Sequence, residues 1–510
     1  MAQAQGETLT QDGTETVDVL IIGAGISGIG MAVHLRDKCP GKSFLLLERR
    51  DEIGGTWNLF QYPGIRSDSD MHTLGYVFEP WTEQKAIADG PSIMNYLQRI
   101  KDKHRLGPHI RLGHKVLSAS WSSADALWTV SAELADGSTV EKRANFLYVG
   151  AGYYDYDEGY DAQITGLSDF GGDVLHPQFW PKDFDYAGKH VTVIGSGATA
   201  VTIVPVIAEK AAHVTMLQRT PTWYFVRDAR DKLANFLRKI LGEELAYKII
   251  RKKNVWLQNY GFKMARNKPQ KMAEKLLDPI RRDLGEKYDP VDFTPPYNPW
   301  EQRLCLVPDN DLFEAVKAGR ADIVTGNIDT VTHDGIRLKS GQEISADVIV
   351  TATGLKLAVA GKVQFVVDGR PVNFADQYYY KGCMFSNIPN LAMVFGYLNA
   401  SWTLKADIVS EFACRVINHM DVTASRIALP KLDNPAALEE DELFDFSSGY
   451  ILRAMDQLPK NSKTMPWRLT QDYLFEKKLL QNGPVDDGVL RFTGPNRADQ
   501  SDDAMLEAAE

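Results

Sequence analysis

The chain has 510 residues, with 57 Lys and Arg against 67 Asp and Glu and a formal net charge of −10. At about 150 residues per domain this allows roughly three domains with sizeable cores and a site between them. The 40 Gly and 24 Pro are close to a globular average, which disfavours collagen-like or wholly disordered architectures, and the acidity disfavours a general nucleic-acid binder. Four cysteines, Cys39, Cys305, Cys383 and Cys414, lie far apart with no CxxC or CxxxxC spacing. No disulfide framework, metal site or dithiol redox centre is expected, and a reducing, cytoplasmic setting fits best.

Residues 1–15, rich in Gln, Thr, Gly and Glu, and the acidic, Ala-rich stretch 497–510 are expected to be disordered tails. The run from Val17 to Leu35 is apolar enough to tempt a membrane or signal assignment, but it carries Asp18, His34 and four glycines with no basic residue before it. It reads instead as strand, turn and helix. Val17–Ile22 has the composition of a parallel strand buried on both sides. Gly23-Ala-Gly25-Ile-Ser-Gly28 follows at once, then a helical stretch, then a second strand ending at Glu48, 20 residues beyond Gly28. In this context GxGxxG is a dinucleotide fingerprint: the glycines let backbone approach a pyrophosphate at a helix N-terminus, and the Glu48 carboxylate can accept ribose hydroxyls. An acid there repels a 2′-phosphate, so this unit takes FAD or NAD, and the following Gly54-Gly55-Thr56-Trp57 favours FAD.

A second unit starts at the strand His190–Ile194. Gly195-Ser196-Gly197-Ala198-Thr199-Ala200 opens a helix, and the next strand ends in Gln218-Arg219-Thr220. Here a cation replaces the acid. Arg219 can pair with a ribose 2′-phosphate, so the second nucleotide is expected to be NADPH. Two dinucleotide units in one chain imply hydride transfer from nicotinamide to flavin. Without a cysteine pair to receive the electrons, oxygen is the remaining common acceptor.

Asn145–Gly152 and the strand ending in Ala352-Thr353-Gly354 resemble the segments at which flavoproteins with two dinucleotide units cross between domains, which implies that the second unit is an insertion into the first. The expected fold is α/β, with two Rossmann-like dinucleotide-binding domains and a helical insertion. The expected boundaries are 16–152 with 350–496 for the FAD domain, 153–223 with 296–349 for the NADP domain, and 224–295 for the insertion. From Arg227 to Lys287 the sequence is helical in composition and carries 17 Lys and Arg against 8 Asp and Glu. That asymmetry raises a peripheral membrane contact as one reading and an ordinary solvated helical face as the other. No nucleic-acid motif accompanies the charge.

Phe170-Gly-Gly-Asp-Val-Leu-His176-Pro-Gln-Phe-Trp180-Pro181 fits FxGxxxHxxxWP. The chain thereby resembles the type I Baeyer-Villiger monooxygenases. Tyr62–Asp70, Tyr297–Pro308 and Asn399–Asp407 look like the ethionamide-activating subgroup. The resemblance implies that NADPH reduces FAD, oxygen adds at flavin C4a, and the resulting peroxyflavin attacks a small apolar ketone, giving an ester or lactone, or a thioether or thioamide. It carries Asp68 and Arg303 as catalytic residues, with the arginine stabilising negative charge beside the flavin and a facing carboxylate holding the guanidinium. For FAD it carries Gly23, Gly25, Ser27, Gly28, Glu48, Gly55, Thr56, Trp57 and Asp68, with backbone from Val116. For NADP it carries Gly195 to Ala200, Arg219 and Thr220. Many members have lysine before the catalytic arginine where this chain has Gln302, which weakens the expected NADPH preference. His176 and Trp180 are read as linker-ordering residues, and Tyr397 and Trp402 as core or pocket wall. The alternatives are a flavin-containing N- or S-oxygenating monooxygenase and a redox sensor without turnover.

Overall fold

The computed structural model describes residues 8–9 and 14–494. The expected tail 497–510 lies outside them. The other expected tail is partly ordered: Thr8–Leu9 pair antiparallel with Thr16 and Glu15, and the buried Glu15 carboxylate is held by Arg111 at 3.3 Å and Lys142 at 2.8 Å.

The chain builds two sheets in succession and returns to the first. β1 (Glu15–Ile22) leads through the first glycine loop into α1 (Ile26–Lys38), and β2 (Phe44–Leu47), wholly buried, pairs parallel with it. β3 (Lys115–Ser122), β4 (Leu127–Glu133) and β5 (Thr139–Val149) form an antiparallel meander whose last strand lies parallel beside β1. β6 (Asp173–Leu175) and β7 (His190–Ile194) begin the second sheet, α2 (Ala198–Ile207) follows the second glycine loop, and β8 (His213–Gln218) pairs with β7.

Three helices come next: α3 (Lys232–Leu241), α4 (Glu243–Asn267) and α5 (Pro269–Leu284). The insertion is not helical from residue 224 as expected, because Tyr224–Arg227 is a strand paired parallel with Cys305–Pro308. β9 (Ala321–Thr325) and β10 (Val348–Thr351) complete a wholly parallel second sheet of order β9-β8-β7-β10-β6. β10 therefore carries the second sheet past the boundary expected at 349. β11 (Gln364–Val367) and β12 (Leu391–Met393) rejoin the first sheet beside β3 and β5, and α6 (Trp402–Val422) packs on α1.

The short β-branched runs of β1, β5, β7 and β10 become central strands because helices or other strands cover both faces, which removes the alternation a half-exposed strand would need. The carboxyl ends of β1 and β7 point into the space between the two sheets. Both glycine loops open there, at the place where parallel sheets present ligand crevices.

Candidate functional site

A cleft of about 930 Å³ lies at those strand ends. The two loops that open onto it are built alike. Gly23 N–H donates to Leu47 O and Gly195 N–H to Leu217 O, each at 2.8 Å, so each loop is tied to the neighbouring strand. Gly23 (φ 95°) and Gly195 (φ 145°) occupy backbone that favours glycine, and at both a Cβ would run into a crossing carbonyl, Gly150 O or Ala352 O.

Gly25 and Gly197 differ from these. Each is the N-cap of its helix in ordinary extended backbone, with no side chain capping the free amides. A Cβ would meet nothing closer than 3.4 Å at Gly25 and nothing within 4 Å at Gly197. The protein itself does not require glycine at these two positions. The space a Cβ would fill lies at an uncapped helix N-terminus facing the cleft, which fits an approaching pyrophosphate.

Of the residues expected at the site, all but two line the cleft: Gly23, Gly25, Ser27, Glu48, Gly55, Thr56, Trp57, Asp68, Val116, Gly195, Ser196, Gly197, Ala198, Thr199, Arg219, Thr220 and Arg303 do so, with Gln302 beside them. Gly28 and Ala200 do not. Gly28 is pressed against the loop it follows, where a Cβ would fall 1.9 Å from Gly23 O, and Ala200 is fully buried in α2. Both serve helix-to-strand packing.

Glu48 is buried, accepts the Ala24 and Arg50 amides at 2.8 and 3.0 Å, and so pins the glycine loop while still reaching the cleft. Burial raises its carboxyl above the usual range, against the pull of those hydrogen bonds and of Arg50 and Arg49. Arg219, the residue in the corresponding place after β8, is exposed and has no ion-pair partner among the described residues. The contrast suits a ribose hydroxyl pair at one loop and an added phosphate at the other.

Arg303 and Asp68 both line the cleft, but among the described residues no direct ion pair joins them. The Arg303 Nε instead donates to Leu398 O at 3.3 Å. Each still feels the other's charge. Burial works against the Arg303 guanidinium, yet the oxygens of Tyr450, Tyr153, Tyr154 and Asp68 more than offset it, so Arg303 lies above an ordinary arginine and stays protonated. The cleft walls raise the Asp68 carboxyl, opposed by Arg303 and Arg66. Behind Arg303, burial pushes the Cys305 thiol up to about 12. All four cysteines are free and buried, and of the four only Cys305 lines the cleft, so no pair of thiols faces it.

His176 orders the connection between sheets. Its Nδ1 accepts the Gln178 amide at 3.2 Å, and its ring lies so close to Gly159 that a Cβ there would come within 2.5 Å. Gln178 Nε2 donates to Asp155 O at 2.7 Å. The fingerprint thus positions the Asp155–Tyr160 segment that walls the cleft, and burial keeps His176 below the usual histidine range.

Tyr397 and Trp402 both reach the cleft, the latter donating from Nε1 to Ser27 Oγ at 2.8 Å. Sequence reasoning missed Tyr153, Tyr154 and Tyr156, although a tyrosine-rich run directly after a domain crossing was a usable signal. It also missed Tyr450 and Arg453, which reach the cleft from the short helix Gly449–Leu452 and its end, where no motif marks them. Among the described residues no group of three or more His, Cys, Asp or Glu is placed to hold a metal.

Comparison with known proteins adds findings of three kinds. The family model for pyridine nucleotide-disulphide oxidoreductases matches residues 20–256. The FAD-containing monooxygenase EthA of Mycobacterium tuberculosis is 48% identical over 482 residues, covering 94% of this chain and 98% of its own. The probable FAD-binding monooxygenase AlmA of an Acinetobacter species is 46% identical over 478 residues, covering 93% and 96%. Among solved structures, cyclohexanone monooxygenase from Rhodococcus sp. Phi1 bound to NADP+ is similar with a TM-score of 0.71 at 21% identity, covering 94% of this chain and 99% of that one. Oxidised steroid monooxygenase bound to NADP is similar at 0.70 and 21%, covering 94% and 100%.

Proposed function

The chain belongs to the FAD-containing monooxygenases, and from that membership we propose that it uses NADPH and O2 to convert small apolar ketones to esters or lactones and to oxidise thioethers and thioamides. One oxygen atom enters the substrate, the other leaves as water, and NADPH supplies the two electrons. FAD, held at the first glycine loop, supplies the oxygen-activating chemistry when bound. The amides at the N-terminus of α1 would hold its pyrophosphate, Glu48 its ribose and backbone near Val116 its adenine. The N-terminus of α2 with Arg219 and Thr220 would hold NADPH.

The observation that carries the reading is a permanently charged Arg303 opposite Asp68 in a cleft shared by both loops, with no reactive thiol in reach. A fixed guanidinium stabilises negative charge that develops on oxygen during attack on a carbonyl, while Leu398 O holds its Nε and the Asp68 charge favours its protonated form. A disulfide reductase would need a thiol pair in place of this arrangement. The rival reading, a flavin-containing N- or S-oxygenase, predicts sulfoxides and N-oxides without esters. Mass spectrometry of products from aliphatic, cyclic and aryl ketones and from thioethers decides: ester or lactone containing one atom from labelled O2 is expected, and products from sulfides alone would favour the rival. We place this chemistry in the cytoplasm, with the basic helical segment making a peripheral contact with a membrane.

A further inference from the structure

No described helix is long and apolar enough to cross a membrane, but α3 and α4 present an apolar face to solvent. On α3, Leu233, Phe236 (58% exposed) and Ile240 (60%) recur at helical spacing. On α4, Leu245, Ile249, Trp256 (58%) and Tyr260 (54%) continue the face at steps of four and seven, while Ala246, Tyr247, Ile250, Arg251 and Asn254 bury the opposite side. Trp256 and Tyr260 stack at 5.3 Å between centroids, still open to water.

A solvent-exposed patch of this composition marks an interaction surface. Its charge selects the partner. Lys252 and Lys263 lie on the same α4 stripe as the apolar residues, and Lys239 and Lys248 flank it. Lys239 and Lys252 have no acidic partner among the described residues. The acids nearby are few and mostly engaged: Asp228 with Lys232 at 2.8 Å, Asp231 with Lys253 at 3.4 Å, Glu244 with Lys248 at 3.9 Å, and Asp472 with Lys263 at 4.0 Å. Apolar and aromatic side chains among exposed lysines are what an interfacial helix offers to anionic headgroups.

We propose that α3 and the exposed stripe of α4 form a docking face for an anionic lipid bilayer, entering it to the depth of Phe236, Ile240 and Trp256. The proposal narrows the membrane contact of the preceding reading to one face and one lipid class. A second copy of the chain is the weaker occupant, because a two-fold contact would set Lys239 and Lys252 against their own equivalents. The face also bears on the site. Phe262 of α4 packs edge-on against Trp300 at 5.6 Å, and Ala265 shares a core with Tyr297, Trp300 and Leu304, the segment that carries Arg303. Docking therefore sets the bilayer against the helix that backs the catalytic wall, where an apolar substrate would be concentrated.

The test is co-sedimentation of the full-length FAD-bound protein with vesicles of phosphatidylcholine, alone or mixed with phosphatidylglycerol. The mixed vesicles should capture the protein, and raising NaCl should release it. The double variant Lys239→Glu/Lys252→Glu should weaken capture at least about tenfold, and Phe236→Ser/Trp256→Ser should weaken it on both lipids. Flavin absorbance and vesicle-free NADPH oxidation should stay at wild-type levels in both variants, which reports folding and keeps this outcome separate from the oxygenation reading. Capture no better on phosphatidylglycerol than on phosphatidylcholine, salt-independent capture, or equal capture of the variants would overturn the proposal. So would a dimer that Phe236→Ser/Trp256→Ser breaks and that anionic vesicles leave intact.

Discussion

Arg303 makes no ion pair among the described residues, yet it lies above an ordinary arginine, because the oxygens of Tyr450, Tyr153, Tyr154 and Asp68 offset its burial, while its hydrogen bond to Leu398 O engages Nε and not the outer nitrogens. Arg303→Ala should therefore retain FAD and its reduction by NADPH but lose ester formation by at least about a hundredfold, the scale for removing a donor aimed at developing charge. Asp68→Ala should slow flavin reduction and product formation together. Stopped-flow absorbance with product analysis separates the two, and normal ester yield from Arg303→Ala would remove it from the catalytic role. Arg219 lends itself to an equally local test. If it grips the 2′-phosphate, Arg219→Ala should cost NADPH a charge-assisted contact of roughly 1.5 to 3 kcal/mol, about a ten- to hundredfold loss, and leave NADH almost unaffected. Gln302 adds no second cation beside it, so Gln302→Lys should sharpen the preference. The ratio of kcat/KM for NADPH over NADH in the three proteins is the measurement, and an unchanged ratio in Arg219→Ala would put the phosphate elsewhere.

Among elements, the glycine loops show why one motif contains residues of different kinds. Gly25 leaves space beyond the protein, whereas Gly28 fits only because it lacks a side chain that would strike Gly23 O. Gly25→Val should accordingly yield folded but colourless protein, since the side chain occupies the pyrophosphate's place. Gly28→Ala should instead lower the thermal midpoint before it affects flavin content. Yellow Gly25→Val protein would show that the pyrophosphate lies away from α1. This difference was not legible in the sequence, where all three glycines read alike, because spacing reports a turn but not what stands opposite each Cβ. The loops, their helices and the acid-versus-arginine contrast after β2 and β8 were legible, since they follow from local order along one strand–turn–helix unit. The Asp68–Arg303 relation was legible only as a juxtaposition: which backbone carbonyl holds the guanidinium depends on Leu398, 95 residues away. Tyr450 and Arg453 reach the cleft through tertiary placement alone. The ends of the helical segment were misjudged at Tyr224–Arg227 because those four residues gain a partner, Cys305–Pro308, only after the whole insertion has been made.

In the whole molecule, the helical segment is fastened to the first sheet's domain by buried polar groups rather than by apolar contact alone. Arg251 of α4 donates to His72 O at 2.9 Å and Gly75 O at 2.6 Å and pairs with Asp407 of α6 at 3.2 Å. Next to it, buried Asp70 caps the turn Met71–Leu74 through the His72 amide at 3.1 Å and accepts Asn254 Nδ2 of α4 at 2.8 Å. Burial alone would raise this carboxyl, but its bonds to His72 and Asn254 and the charges of His72 and Arg227 win, lowering it from 3.8 to about 2. A depressed carboxylate stabilises the fold fully above its unfolded pKa and loses that contribution as pH falls toward its folded pKa. The difference here is worth roughly 2 kcal/mol near neutrality. Asp70→Asn keeps a capping oxygen but carries no charge, so it should be less stable than wild type by about that amount at pH 7. The gap should shrink to about half by pH 3, since wild-type Asp70 is then mostly protonated in the unfolded chain and mostly ionised in the folded one. Carboxylates outside this joint titrate in both proteins and cancel in the difference. Urea midpoints of the two proteins from pH 7 to pH 3 make the measurement, and a gap that stays constant across that range would mean that Asp70 stabilises the joint by geometry and not by charge.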